Sequence, residues 1–168
     1  MPTRRSLSPG MAERIVIDTG PLIALGRAEI TVAVAKMPIT FLAPEEVQRE
    51  VQRGPAAGHA SFDTSWVTFV PLRAALSPLA VSNLDEGEAA VIQLALDEQI
   101  PLVCIDERKG RRAALAVGLK VTGTLGLLGR AKSLGLVPSV RGCVERMASG
   151  GDWFDPALLA RFYAAMGE

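Results

Sequence analysis

The chain has 168 residues, of which 49% are apolar, 21% are charged and only 5% are aromatic. Its 18 basic and 18 acidic side chains give a net charge of zero at neutral pH. This balance excludes a strongly basic nucleic-acid coat protein and an acidic disordered tail, but not a local basic rim. The length suits one domain with a sizeable core rather than two domains.

The cysteine pattern and the N-terminus bear on the cellular compartment. Cys104 and Cys143 form no CxxC pair, which excludes a disulfide scaffold and a zinc ribbon, and Cys104 lies in an apolar run typical of a buried thiol. Residues 1–13 are rich in Pro, Ser and Arg without a following apolar stretch, so we interpret them as a flexible tail, with Met11 as an alternative start. Because no apolar run is long enough to cross a membrane, we expect a cytoplasmic protein.

Short apolar runs alternate with helical patterns along the chain. The first half predicts strands over 15–17, 39–42 and 67–72 and helices over 21–28, 30–36 and 44–53. The second half predicts a helix over 86–99, a strand over 102–105, a helix over 108–117, a strand over 120–122, and helices over 125–134, 139–149 and 156–166. Continuous apolar strands that alternate with helices are typical of an α/β fold, in which a parallel sheet has helices on both faces.

Acidic side chains gather where the predicted strands end. Asp18 and Asp106 directly follow the first and fourth strands, Glu50 lies on the helix after the second strand, and Glu88 lies in the helix before the fourth. Functional groups collect at the carboxyl ends of parallel strands, so we expect the four carboxylates at one edge of the sheet. Several carboxylates together need protons or a cation, and oxygen-only ligands favour magnesium or manganese. Such an ion usually acts on phosphates.

Most of these acids also have a purely structural interpretation. Glu50 is spaced to pair with Arg53, and Asp85 with Glu88 fits a capping box at a helix start. Asp106 would likewise cap the helix that follows it, as would its neighbour at position 107. Asp18 has no such explanation, because a carboxylate after three buried β-branched residues is poorly hydrated without a partner.

Basic residues directly follow the fourth predicted strand and form a candidate rim for phosphates: Arg108, Lys109, Arg111 and Arg112. A solvated helix face explains the same pattern. The single histidine, His59, lies in a Gly/Pro loop, where solvation is the simplest interpretation, and no GxSxG motif supports a catalytic triad. Four glycines match no nucleotide-binding spacing, so no phosphate loop is predicted: Gly87, Gly110, Gly123 and Gly126.

Four motifs, in order along the chain, resemble those of the PIN-domain ribonucleases. They are IVIDTGPLIAL around Asp18, PEEVQREV around Glu50, LDEGEAAVIQLA around Glu88, and LVCIDERKGRRAA followed by GLKVTGTLG around and after Asp106. The similarity is greatest to a prokaryotic PIN-like branch related to VapC-type toxins. It spans residues 14–168, which we expect to form a single PIN-like domain.

The resemblance implies a three-layer α/β/α sandwich with a central parallel sheet of about five strands. It implies a ribonuclease that uses Mg²⁺ or Mn²⁺, often a homodimeric toxin paired with a small antitoxin protein. Carried over residue by residue, the catalytic and metal-binding acids are Asp18, Glu50, Glu88 and Asp106, and Thr19 assists at the metal. Glu107 stands where relatives often carry a second aspartate, but its longer side chain argues against a direct ligand role.

The expected reaction is endonucleolytic cleavage of single-stranded RNA, whose exposed bases a protein can read. Two alternatives remain: a catalytically silent PIN-like module that binds RNA or protein, and a DNA nuclease or phosphatase that uses the same carboxylates. Trp153 and Phe154 are expected to pack into the core rather than at a dimer interface.

Overall fold

The computed structural model describes residues 12–58 and 60–168. The predicted tail up to residue 11, the alternative start at Met11 and the loop histidine His59 therefore lie outside the described residues. No helix in the described ranges is long and apolar enough to span a bilayer.

Five parallel strands form a single sheet in the order β3-β2-β1-β4-β5. They are β1 (Glu13–Ile17), β2 (Ile39–Pro44), β3 (Val67–Val70), β4 (Leu102–Cys104) and β5 (Lys120–Thr122). The predicted parallel sheet is thus confirmed, with small changes in strand ends. β3 stops before Pro71 rather than reaching residue 72, because proline has no N–H to donate to a neighbouring strand.

Helices flank this sheet and complete the α/β/α sandwich. They are α1 (Thr19–Arg27), α2 (Thr31–Ala35), α3 (Glu45–Arg53), α4 (Pro78–Asn83), α5 (Glu86–Asp97), α6 (Arg108–Ala116), α7 (Thr124–Ser133), α8 (Val140–Ser149) and α9 (Pro156–Met166). All eight predicted helices are present, most of them shifted by one or two residues. Helix α4 was not predicted; it has six residues and buries none of them.

The core lies on both faces of the two central strands. Ile15, Val16 and Ile17 of β1 are fully buried, as are Val103 and Cys104 of β4. Continuous apolar strands must be buried on both faces of the sheet, since a strand with one solvent-exposed face would alternate polar and apolar residues.

The cysteines and the C-terminal aromatic pair test two further predictions. Cys104 and Cys143 are both buried free thiols, which confirms the expectation for Cys104. Phe154 packs against the core, as predicted. The prediction for Trp153 was wrong, because its side chain is 78% exposed on the loop between α8 and α9.

Candidate active site

The candidate site lies where the connectivity of the sheet reverses. From β1 the chain proceeds outward to β2 and β3 on one side, and then returns to place β4 and β5 on the other side. Ile17 of β1 pairs with Cys104 of β4, and the Asp18 N–H donates to the Cys104 carbonyl at 3.0 Å. In open α/β sheets, a reversal of this kind is where a ligand crevice forms at the carboxyl ends of the strands. Asp18 and Asp106 therefore follow neighbouring strands at this crevice, as predicted.

Asp18 is a buried carboxyl group in a negatively charged environment. Asp18 is only 7% exposed. Its Oδ1 accepts a hydrogen bond of 2.8 Å from the Thr19 N–H at the start of α1. Burial raises the pKa of Asp18 to about 7, and the charges of Asp85, Glu50 and Glu88 add to that rise. The Thr19 hydrogen bond opposes these effects without cancelling them.

Glu50 reaches this crevice from α3. The Thr19 hydroxyl donates to Glu50 Oε2 at 2.5 Å, so one residue contacts two acids, Asp18 through its backbone and Glu50 through its side chain. No ion pair among the described residues joins Glu50 to Arg53, which was the alternative interpretation. The structure thus links Glu50 to Asp18 through Thr19.

Glu88 combines the two roles that its sequence position allowed. The capping box is present: Asp85 Oδ1 accepts from the Glu88 N–H at 2.7 Å, and Glu88 Oε2 accepts from the Asp85 N–H at 3.4 Å. Glu88 is only 4% exposed, and burial followed by the negative charge of Asp85 raises its pKa. Because both Asp18 and Glu88 are affected by Asp85, this residue belongs to the site electrostatically. Sequence reasoning assigned it a capping role alone.

Asp106 is held by the helix after the next strand. Its Oδ1 accepts from the Thr124 N–H at 2.8 Å and its Oδ2 from the Thr124 hydroxyl at 2.5 Å. Thr124 is fully buried at the first position of α7. The interpretation of Asp106 as a cap of α6 was therefore wrong, and Glu107, the residue before α6, makes no side-chain capping bond either. Sequence reasoning missed Thr124, although it lies directly after β5 and Gly123.

The predicted basic rim divides into two parts. Arg111 donates through Nη1 to the carbonyl oxygens of Ile105 at 2.7 Å and Thr122 at 3.2 Å, so it ties together the ends of β4 and β5. The remaining basic residues of α6 are exposed: Arg108, Lys109 and Arg112. A phosphate-binding role is thus open to these three, and the structural role of Arg111 was not foreseen.

Comparison with known families agrees with this architecture. The family model DUF3368, described as a PIN domain, matches residues 14–168. The chain belongs to the PIN-domain family. Searches of curated proteins and of solved structures gave no significant match. The expected fold is thus confirmed, and because PIN domains are generally nucleases, the family supports a nuclease-type function.

The donor set of this PIN domain fits a hard divalent ion, but not as a ready cluster of ligands. In the described part of the chain, no three acidic, histidine or cysteine side chains lie close enough together to hold an ion. The four predicted acids therefore do not meet at one point. Magnesium is commonly bound through one or two carboxylates and keeps several of its waters, which this arrangement allows. The buried negative charge at Asp18 is the feature that a cation would offset.

Proposed function

We propose that this PIN domain is a metal-dependent endoribonuclease that cleaves single-stranded RNA with Mg²⁺ or Mn²⁺. The observation that carries the proposal is the buried Asp18 carboxyl group at the switch point of the sheet, with three further acids raising its pKa. A fold maintained only for stability gains nothing from such a charge, because an ionised group without a counter-charge destabilises a buried position.

The residues that would hold the ion are Asp18 and Asp106, with Glu50 and Glu88 completing the shell directly or through water. When bound, a divalent ion makes a coordinated water more acidic and stabilises charge that develops on the phosphate. Both anchoring carboxylates follow neighbouring central strands, β1 and β4, so rigid elements position them.

The chain's own polar groups orient these acids. Thr19 donates to the carboxylates of Asp18 and Glu50, and Thr124 donates to both oxygens of Asp106. Carboxylate oxygens carry two lone pairs each, so every one of these oxygens retains acceptor capacity toward a cation. Hydrogen bonds of this kind fix the orientation of the carboxylates and leave lone pairs free to bind a metal ion.

The substrate is proposed from charge and composition. The exposed basic residues of α6 supply positive charge to a molecule whose net charge is zero. With only 5% aromatic residues the chain offers few surfaces for base stacking. Contacts to the phosphate backbone are therefore expected to dominate binding, which makes it weaken as salt increases.

Cleavage of end-labelled single-stranded RNA by the wild type and Asp18→Asn tests this proposal, with Mn²⁺, Mg²⁺ or EDTA. We expect cleavage that requires the metal and is lost in the variant, which retains an acceptor for the Thr19 N–H. Parallel single-stranded DNA and a phosphomonoester separate the ribonuclease from a DNA nuclease or phosphatase. RNA binding without cleavage would replace the proposal with the silent binding module, and cleavage that survives Asp18→Asn would show that the activity belongs to a contaminant.

We further propose that this cytoplasmic nuclease is the toxin of a VapC-like pair, a homodimer restrained by a small antitoxin protein. A groove of about 750 Å³ beside the site supports a protein partner, since its wall combines four acidic side chains with apolar ones and a single basic side chain, Arg73. The acidic ones are Glu45, Glu46, Asp85 and Glu86. Glu46 Oε2 is buried and accepts no hydrogen bond within the described residues, so a basic partner segment would satisfy it.

Co-expression with a small open reading frame from the neighbouring genomic DNA tests the pairing. A stable complex that suppresses RNA cleavage is expected, and Glu46→Gln should weaken it. Light scattering of the purified nuclease measures the subunit number, and a monomer at all concentrations would contradict the homodimer.

A further inference from the structure

Three glycines that match no nucleotide-binding motif face the acids of the site. Each lies at the N-terminal end of a helix, where a carboxylate from another element approaches it closely. In each pair an added Cβ would come within 3 Å of a carboxylate oxygen: 2.8 Å for Gly87 and Glu50, 2.8 Å for Gly110 and Glu88, and 2.7 Å for Gly123 and Asp106. Real Cβ atoms essentially never make contacts this short.

Backbone conformation does not explain why glycine stands at these positions. The glycines with positive φ among the described residues are elsewhere in the chain, and Gly123 has an extended conformation with φ of −134°. Gly87 and Gly110 lie within the first turns of α5 and α6, where glycine is less favourable than alanine. The close approach of a carboxylate is the feature that the three positions share.

This approach places each carboxylate against the N-terminal turn of a helix. The N-terminus carries free N–H groups and a partial positive charge, which stabilise negative groups within the first turn. Asp106 shows the contact directly, since Thr124 at the start of α7 donates its N–H to this acid. Asp18 sits in the same way at the start of α1. The partial positive charge at each helix N-terminus thus offsets part of the repulsion between these carboxylates.

We propose that Gly87, Gly110 and Gly123 are positioning residues of the nuclease site, which hold Glu50, Glu88 and Asp106 in place by leaving room for their carboxylates. This inference rests on the proposed function for its catalytic consequence, but its structural content does not require a metal. A side chain at any of the three would push the facing carboxylate away from the crevice.

Gly87→Ala provides the sharpest test. The displaced group is the flexible end of Glu50, so the protein should fold while the carboxylate moves. We expect Mn²⁺ affinity, measured by titration calorimetry, to fall about tenfold or more, as is usual when a group that orients a metal ligand is changed. The matched control is Gly20→Ala on α1, where an added Cβ meets nothing within 4 Å. It should leave both Mn²⁺ affinity and RNA cleavage unchanged.

A second comparison repeats Gly87→Ala in a Glu50→Asp background, whose shorter side chain withdraws the carboxylate from the added methyl group. The alanine should then cause no further loss of Mn²⁺ affinity. In EDTA, Gly87→Ala should raise the urea midpoint of unfolding more in the Glu50→Asp background than in the wild type. Only in the wild type does a carboxylate lie where the added methyl group would displace it.

The outcomes separate the two proposals. If Gly87→Ala behaves like Gly20→Ala, or acts equally in both backgrounds, the positioning role is overturned and the nuclease proposal stands. If the wild type neither binds Mn²⁺ nor cleaves RNA, the nuclease proposal fails, and the urea comparison in EDTA still decides whether Gly87 accommodates Glu50.

Discussion

Asp18→Asn should stabilise the metal-free protein while it abolishes cleavage. Asp18 is only 7% exposed, and its pKa rises from an ordinary value of 3.8 to about 7. A group whose pKa is raised by folding favours the unfolded state at any pH where the unfolded chain ionises, because the folded protein must then retain the proton or bear a buried charge. That penalty is absent below about pH 4, grows between pH 4 and 7, and is complete above pH 7.

The size of the penalty follows from the two pKa values. Because a tenfold change in an ionisation constant is worth about 1.4 kcal/mol, the raised pKa of Asp18 costs roughly 4 kcal/mol of stability at pH 8 and roughly 2 kcal/mol at pH 5. Asparagine has nearly the same shape, still accepts from the Thr19 N–H, and does not ionise. The variant should therefore unfold at higher urea concentration, and its advantage should grow by roughly 3 kcal/mol between pH 5 and pH 8.

Urea unfolding of both proteins in EDTA at pH 5, 6, 7 and 8 measures this difference, since a divalent ion would otherwise offset the charge. Asp63→Asn is the matched control. Hydrogen bonds from the backbone and hydroxyl of Ser65 lower the pKa of the exposed Asp63, so its replacement should not stabilise the protein at any of these pH values. A constant gap between the wild type and Asp18→Asn, or a variant that is less stable at pH 8, would refute the argument.

Three further predictions concern other parts of the molecule. The melting temperature of the wild type should rise with the logarithm of the Mn²⁺ concentration, and EDTA should reverse the rise. An equal rise in Asp18→Asn would show that the ion binds elsewhere. Thr124→Val removes the hydroxyl that donates to Asp106, an exposed acid that water can then solvate. It should lower the free energy of unfolding by roughly 1 kcal/mol in urea titrations and reduce cleavage, and unchanged values would show that this bond is dispensable. Glu168 accepts from Lys132 and from the first N–H groups of α8, which lowers its pKa to about 2. Its stabilisation is present above about pH 4.5 and disappears as pH falls toward 2, so wild type and Glu168→Gln should differ in melting temperature at pH 6 and converge near pH 2, whereas a gap that persists at pH 2 would exclude the charge as its cause.

Local sequence patterns were sufficient for the architecture. Runs such as Ile15, Val16 and Ile17 indicate buried parallel strands, and helix starts were recognisable from caps such as Asp85. The boundaries were less certain where proline intervened: β2 continues through Pro44, where the sequence predicted a stop. Helix α4 escaped detection although Ser77 caps it, because its apolar residues Leu79 and Val81 stay exposed and it spans fewer than two turns.

The candidate site likewise has features that the sequence predicts and features that it does not. The four acids were identified from their positions after strands and on flanking helices, and the structure brings Asp18, Glu50 and Glu88 within electrostatic reach of one another. The partners of these acids were not predictable. Thr124 lies 18 residues from Asp106 and Thr19 lies 31 residues from Glu50, and no periodicity links such pairs.

By itself, the sequence determined the five strands and all the helices except α4, that the sheet is parallel, and which acids follow its strands, because periodicity, caps and chain order are local properties. Only the tertiary structure decided that Asp85 acts on Asp18, that Arg111 binds backbone carbonyls, and that Gly87 makes room for Glu50. Burial, electric field and free space at a side chain come from residues that are distant in sequence, and they exist only once the helices have packed against the sheet.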